Sequence, residues 1–488
     1  MPRVLGSCQS CFSRWLVIGL FLHLANVSWA GDWPQWRGDA GHTASTADEL
    51  PAKLALRWTR QYTPRRQAWD DPLNQDVMQY DRTFEPVVRD GRMFVPFNDA
   101  DKVVALDVKT GRELWSFYTD APVRFAPVAW NHSVFIASDD GHLYSVSAKE
   151  GKLQWRFRGA PSTRKVIGNR RVISAWPARG GPVVDDGRVF FAASIWPFMG
   201  TFIYCLDAET GEIEWVNDST SAQYIKQPHS APSFAGVAPQ GTMAVVGDVL
   251  LVPGGRSVPA AFNKNDGKLL HFELNAGGKG NGGSFVCGLG DAFYLHTRQR
   301  GVRAFNLRSG AKTSFTVNEP VLTGQGLYTA DGTDKLRAVD EKQKTAWELT
   351  GVDASGDLIQ AGQCLYAAGG EQLTAVELAQ DDQAGKLLWQ LPIAADVVRL
   401  LAADDMLFAV TLDGKILAFG DADAPGGKAA ELNTVAAGQG TEVASDMQQM
   451  AKGIVQQVGA STGFVLCYGL EPALLRALVA ASDYQIVA

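Results

Sequence analysis

The side chains best suited to hold a ligand fall in three stretches. Between Arg156 and Pro182 stand seven basic residues, among them Arg164, Arg170 and Arg179, with no acid. Trp176 lies within that run, and Trp196 opens Trp196-Pro197-Phe198-Met199-Gly200 just beyond it. A second stretch carries Lys226-Gln227-Pro228-His229-Ser230, then Pro239-Gln240-Gly241 and Gly254-Gly255-Arg256-Ser257. The third is Pro64-Arg65-Arg66-Gln67-Ala68-Trp69-Asp70-Asp71. Guanidinium forks grip carboxylates and phosphates bidentately, aromatic faces stack on planar groups, and glycine lets backbone amides approach an anion. The chemistry expected is recognition of a small anionic or sugar ligand, or of a protein, by a basic, aromatic-lined funnel. Arg164, Arg170, Arg179, Trp176, Trp196, His229, Gln240 and Arg256 are its candidate residues. The opposing reading is that these arginines pair with acids on neighbouring loops.

Signatures of catalysis are missing from the chain. There is no Cys-Cys pair, no G-x-S-x-G, no P-loop, and the seven histidines have no metal-binding spacing. Acids are sparse in the three stretches, so a hard cation lacks oxygen ligands there. The expectation is a non-catalytic module with neither cofactor nor metal. The composition, 46% hydrophobic and 20% charged with 50 Gly and 22 Pro, is that of a chain able to bury a large core. A net charge of −7 argues against a general nucleic-acid binder.

A repeat of about forty residues must position these stretches. Ala105-Leu-Asp107-Val-Lys-Thr110-Gly111-Arg-Glu-Leu-Trp115 recurs as Ser145 to Trp155 and as Cys205-Leu-Asp207-Ala-Glu-Thr210-Gly211-Glu-Ile-Glu-Trp215. Weaker copies begin at Ala261, Ala304, Ala338 and Ala375, the last two reaching Trp347 and Trp389. Apolar alternation predicts a strand, Thr-Gly a tight turn with positive φ, and the residues up to the Trp a return strand. Four short strands per repeat describe a propeller blade. Trp58 has no blade before it, while Val397 to Gly420 has inner strands but no closing Trp. The two ends therefore complete one blade between them, for a total of eight, and leave no sheet edge open. The three ligand-type stretches fall where repeats one, three and four are longest, as insertions that become loops.

The A-x-D-x-x-T-G-x-x-x-W copies resemble the PQQ-type, or quinoprotein-like, eight-bladed β-propeller, over roughly residues 31–420. The resemblance implies an all-β fold in which each Trp docks between neighbouring blades. It gives Trp58, Asp107, Gly111, Trp115, Trp155, Asp207, Gly211, Trp215, Trp347 and Trp389 structural roles. Asp32-Trp33-Pro34-Gln35-Trp36-Arg37-Gly38 also resembles the opening of secreted PQQ-like propellers. The same superfamily holds BamB-like scaffolds without a cofactor and quinoprotein dehydrogenases, which use PQQ and Ca²⁺ bound by Glu, Asn and Asp, a catalytic Asp, and usually adjacent cysteines. With no Cys-Cys present, the scaffold is the expected function and the PQQ- and Ca²⁺-dependent oxidoreductase the alternative.

Both ends of the chain carry further signals. Arg3 and Arg14, the apolar run Trp15 to Val27, and Ser28-Trp29-Ala30 have the form of a secretory signal over residues 1–30, an uncleaved anchor being the other option. Export to a periplasmic or extracellular location follows, with no stable membrane span after cleavage. Cys8 and Cys11 lie inside that segment, and Cys205, Cys287, Cys364 and Cys467 are expected as free thiols. Residues 421–446 read as a linker. Residues 447–488 follow a helix–strand–helix–strand order, with Gly469 and Glu471-Pro472 at the first turn. This order resembles the start of a Rossmann-like, S-adenosylmethionine-dependent methyltransferase domain, and a propeller-fused methyltransferase of which this chain is a fragment is a further alternative.

Overall fold

Each repeat folds as its alternation dictates, into four antiparallel strands. The computed structural model describes residues 31–65, 67, 81–168, 171–227, 231–255, 257–274, 281–297, 302–340, 342–378, 385–425, 430–433, 444–467 and 471–487. Eight four-stranded blades are present. Blade one comprises Val87–Arg89, Arg92–Phe97, Lys102–Asp107 and Glu113–Tyr118. Blade eight comprises Val397–Ala403, Met406–Thr411 and Lys415–Asp421, and its fourth strand is Leu54–Gln61 from the other end of the chain. The ring thus closes as the sequence predicts.

The repeat motif is a clasp between blades. Asp107 Oδ1 accepts hydrogen bonds from the Thr110 amide at 2.8 Å and its hydroxyl at 2.6 Å, which fixes the turn. Gly111 then takes φ +67°, and a Cβ there would lie 2.7 Å from the Trp58 ring of the preceding blade. Gly151 stands in the same relation to Trp115 and Gly211 to Trp155. Each Trp reaches across the seam: Trp58 Nε1 donates to Val108 O at 2.8 Å, Trp115 to Ala148 O at 3.1 Å and Trp155 to Glu209 O at 3.0 Å. A register shift just before the Trp, as between Leu153 and Trp155, accompanies the clasp. In the degraded fifth seam His271 stands in for Trp, its Nε2 meeting Leu307 O at 3.0 Å and its ring lying over Gly310.

Before entering blade eight, the chain threads along the inner strands of the ring. Gly31 O accepts from Asp404 N in blade eight, and Trp33 bridges Val88 in blade one. Pro34 O then accepts from Ala129 N, the Gln35 amide brackets Val184, and Ala40 O accepts from Val245 N. Gly41, Thr43 and Ala44 carbonyls accept from Gly288, Leu322 and Gln360, so residues 31–44 meet all eight blades in chain order round the ring. The thread thereby ties the inner strands of all eight blades together.

The insertions in blades three and four form hairpins outside the blade sheets, Lys165–Gly168 with Arg171–Ser174 and Gln223–Lys226 with Pro232–Ala235. Beyond residue 444 the described chain forms helix Ser445–Val458, strand Thr462–Leu466, helix Pro472–Ala481 and strand Asp483–Val487, the two strands pairing in parallel. Ala444 is the N-cap of the first of these helices and makes no side-chain cap. Cys205, Cys287, Cys364 and Cys467 are free, as expected. Among the described residues no helix is long and apolar enough to cross a membrane; residues 1–30 lie outside them.

Candidate functional site

Charged side chains converge on the channel axis because each blade's inner strand begins there. Two networks form. In the first, Asp81 Oδ1 accepts from Arg65 Nη2 at 3.2 Å and Asn98 Nδ2 at 2.7 Å, and its other oxygen pairs with Arg124. Arg124 and Arg179 then share the Asp139 carboxylate. Burial pushes Asp139 up, but the two guanidinium groups outweigh it and hold the carboxyl below its ordinary range.

The second network spans the thread and blades one, five, six, seven and eight. Arg399 grips Glu85 bidentately, Nε to Oε2 at 2.8 Å and Nη2 to Oε1 at 3.0 Å. Trp36, on the thread, donates its Nε1 to the same Glu85 at 2.9 Å. Arg37, next in the thread, places Nη1 3.4 Å from Glu319 Oε2 and 3.5 Å from Asp357 Oδ1. Arg399 Nη1 lies 3.7 and 3.6 Å from those same two oxygens, completing a square of alternating charge. Glu319 Oε1 pairs with His296 Nε2 at 2.8 Å, and the His296 ring stacks on Phe285 at 4.4 Å. Burial works against the Glu319 carboxylate, yet the His296 hydrogen bond and the charges around it keep its pKa far below normal. Asp357, the more deeply buried, is pushed up by burial despite both arginines.

Above this network a cavity of about 610 Å³ opens, lined by Arg82, Glu319, Asp331, Thr333, Ser355 and Arg399 among others. Arg37 of the thread stands behind two of its lining residues, Glu319 and Asp357. Arg82 is exposed at the mouth and has no ion-pair partner among the described residues. A smaller void beyond the Glu85–Arg399 pair, lined by Trp36, Arg124, Ser284 and Phe285, holds about 20 Å³, room for one water.

The candidate residues of the basic insertions are distributed differently. Arg164 is exposed, and its carbonyl accepts from Ala175 N beside Trp176. Trp176 Nε1 donates to Met199 O, three residues past Trp196, so Arg164, Trp176 and Trp196 sit on adjoining segments. Arg179 is fully buried on Asp139, and Gln240 is buried beside it through Gly241 N to Arg179 O. Arg170, His229 and Arg256 lie outside the described residues, as does most of 64–71. The acids thought too sparse for chemistry are present, but on the axis. Their signal was a carboxylate just before an inner strand, as in Glu85-Pro86-Val87 and Glu319-Pro320-Val321, which reasoning from insertions passes over.

A closed ring of eight blades, clasped by Trp over a turn glycine, defines the PQQ-type propeller class. A family model described as outer membrane protein assembly factor BamB, named PQQ_2, matches residues 58–175 and 168–423, and the chain belongs to that family. The dehydrogenase subunit of a quinone alcohol dehydrogenase from Gluconacetobacter polyoxogenes is 30% identical over 204 residues, 37% of this chain and 27% of that protein. The quinohemoprotein alcohol dehydrogenase of Comamonas testosteroni superposes with a TM-score of 0.55 at 15% identity, covering 86% of this chain and 84% of that one. A europium-containing methanol dehydrogenase gives 0.51 at 13% identity, covering 80% and 98%. These structures share the fold, and the chain spans at most 27% of the length of the first curated relatives.

The expectation of a non-catalytic scaffold without a cofactor is corrected by these findings, because five of the six curated relatives are quinone or quinohemoprotein alcohol dehydrogenases, the sixth being a tetrathionate hydrolase. It rested on the missing Cys-Cys pair and on sparse acids; acids do line the cavity, as Glu85, Glu319, Asp331 and Asp357. The methyltransferase likeness finds no support: the family match ends at residue 423, before the C-terminal helices.

Proposed function

We propose that this chain is a quinone-dependent oxidoreductase of the propeller type, oxidising small alcohols, with its quinone cofactor seated in the axial cavity. The carrying observation is that cavity: about 610 Å³, lined by Arg399 and by Arg82, which has no ion-pair partner among the described residues. PQQ is a flat tricarboxylate, and the donor set suits it. Arg82 would hold a carboxylate, and the Thr333 and Ser355 hydroxyls and the Asn318 amide line the same space. When bound, the quinone supplies the two-electron acceptor. The chain's own residues, Arg82, Asn318, Thr333 and Ser355, would bind and orient it.

Among the cavity's carboxylates, Glu319 is tied to His296 and two arginines, which suits it to positioning. Asp331 is the freer one, its side chain about half exposed with Lys335 4.0 Å away, and it is the group we assign to accept the substrate's proton. Export through residues 1–30 and a propeller spanning 31–420 belong to the same reading. The test is titration of the full chain with PQQ, followed by absorbance and dye-linked alcohol oxidation. Saturable binding is expected, weakened about tenfold in Arg82→Ala. An absence of binding to the unaltered chain would remove the proposal.

A further inference from the structure

The quinoprotein resemblance brings with it a divalent cation held by carboxylates, and this axial cluster does not fit one. Every oxygen of Glu319 and Asp357, the two carboxylates that both arginines reach, is engaged. Glu319 gives Oε1 to His296 and Oε2 to both arginines; Asp357 gives Oδ1 to both arginines and to Leu358 N at 2.9 Å, and Oδ2 to Leu400 N at 2.8 Å. Arg37 cannot easily swing away. Its Nη2 donates to Pro320 O at 2.6 Å and its Nε to His42 O at 3.3 Å, and its backbone is part of the thread. Among the described residues no three His, Cys, Asp or Glu side chains converge as a metal site. A cation needs its oxygens at 2.3–2.6 Å, and one drawn in by Glu319 and Asp357 would sit against two guanidinium charges.

We infer that Arg37 and Arg399 stand in the electrostatic place of that cation, so that the cavity excludes divalent metal and takes its ligand as an anion. The inference rests on the quinone reading for the ligand's identity, but the exclusion of metal can be tested apart from it. The full chain would be titrated calorimetrically with Ca²⁺ alone, then with PQQ in EDTA and in excess Ca²⁺, following tryptophan quenching. The expected results are no saturable heat with Ca²⁺ and PQQ affinities that agree within twofold. Saturable 1:1 Ca²⁺ binding, or a tenfold loss of PQQ affinity in EDTA, would overturn the inference. Should PQQ bind under neither condition, the quinone reading fails while the Ca²⁺ titration still decides the metal question: silence supports the exclusion and saturation refutes it. Arg37→Gln removes one of the two guanidinium charges held against Glu319 and Asp357, and Ca²⁺ is expected to raise the melting temperature of this variant and not of the parent. A folded R37Q that ignores Ca²⁺ would show that the arginine is not what keeps the ion out. Should R37Q not fold, the parent titrations decide alone.

Discussion

Arg399 meets Glu85, Glu319 and Asp357 at once, and all three raise its affinity for its proton against the pull of burial. Replacing it with Leu would strand those carboxylates, a loss of about 3–5 kcal/mol for a buried pair deprived of one partner. Lys would restore the charge but not the two-pronged grip on Glu85, so R399K is expected to recover less than half of that in urea melts. A second residue-scale effect lies where the thread begins. Burial and the neighbouring Asp32 raise Asp404 to about 6, against the Gly91 amide and Lys109. Its folded pKa exceeds its unfolded one, so its contribution is whole below about pH 4 and is lost as pH rises through 6. Asp404→Asn keeps an acceptor for Gly91 and is expected to add about 1 kcal/mol at pH 7 and nothing at pH 4. A gain that is equal at both pH values would refute this. Axial residues of this kind were hard to see in the sequence, because each stands alone before its own strand and only folding brings them within 4 Å of one another.

At the scale of the element, the turn glycines separate two costs that sequence alone merges. Gly151 and Gly91 share nearly the same positive φ, +67° and +69°, but a Cβ at Gly151 would come 2.6 Å from Trp115, and one at Gly91 would meet nothing within 4 Å. Gly91→Ala should cost about 1 kcal/mol, the backbone term alone. Gly151→Ala should cost about 2–4 kcal/mol, with the clash added. Equal losses in thermal melts would mean that the Trp clasp yields freely. Blades were legible because strand alternation, Asp-x-x-Thr-Gly and Trp repeat in register, each set by contacts within one repeat or its neighbour. The hairpins at 165–174 and 223–235 were legible as insertions only, since nothing in their composition says where on the ring they land.

The whole molecule is closed twice, by the Leu54–Gln61 strand in blade eight and by the thread that ties the blades together. Pairing of the two chain ends was legible from the unmatched Trp58 and the Trp-less last repeat. The thread was not: Asp32 to Gly38 showed a resemblance but no path. Deleting residues 31–46 removes hydrogen bonds to every blade, from the Gln35 side chain in blade three and from the backbone in the others, each worth about 1 kcal/mol, together with Trp36 and Arg37. The shortened chain is expected to keep its β circular dichroism, because the strand closure remains, yet to melt at least 10 °C lower. An unchanged melting temperature would show that the thread is ornament.

The path of that thread also sets an order in time. Residues 31–44 leave the ribosome early, but the partners they need run from Val88 to Asp404, and the strand beside Leu54–Gln61 is completed only near Asp421. No partial chain can seat its own beginning. The seating of the thread and the closing of the ring are therefore the last events of folding, possible only once the chain has been made as far as Asp421.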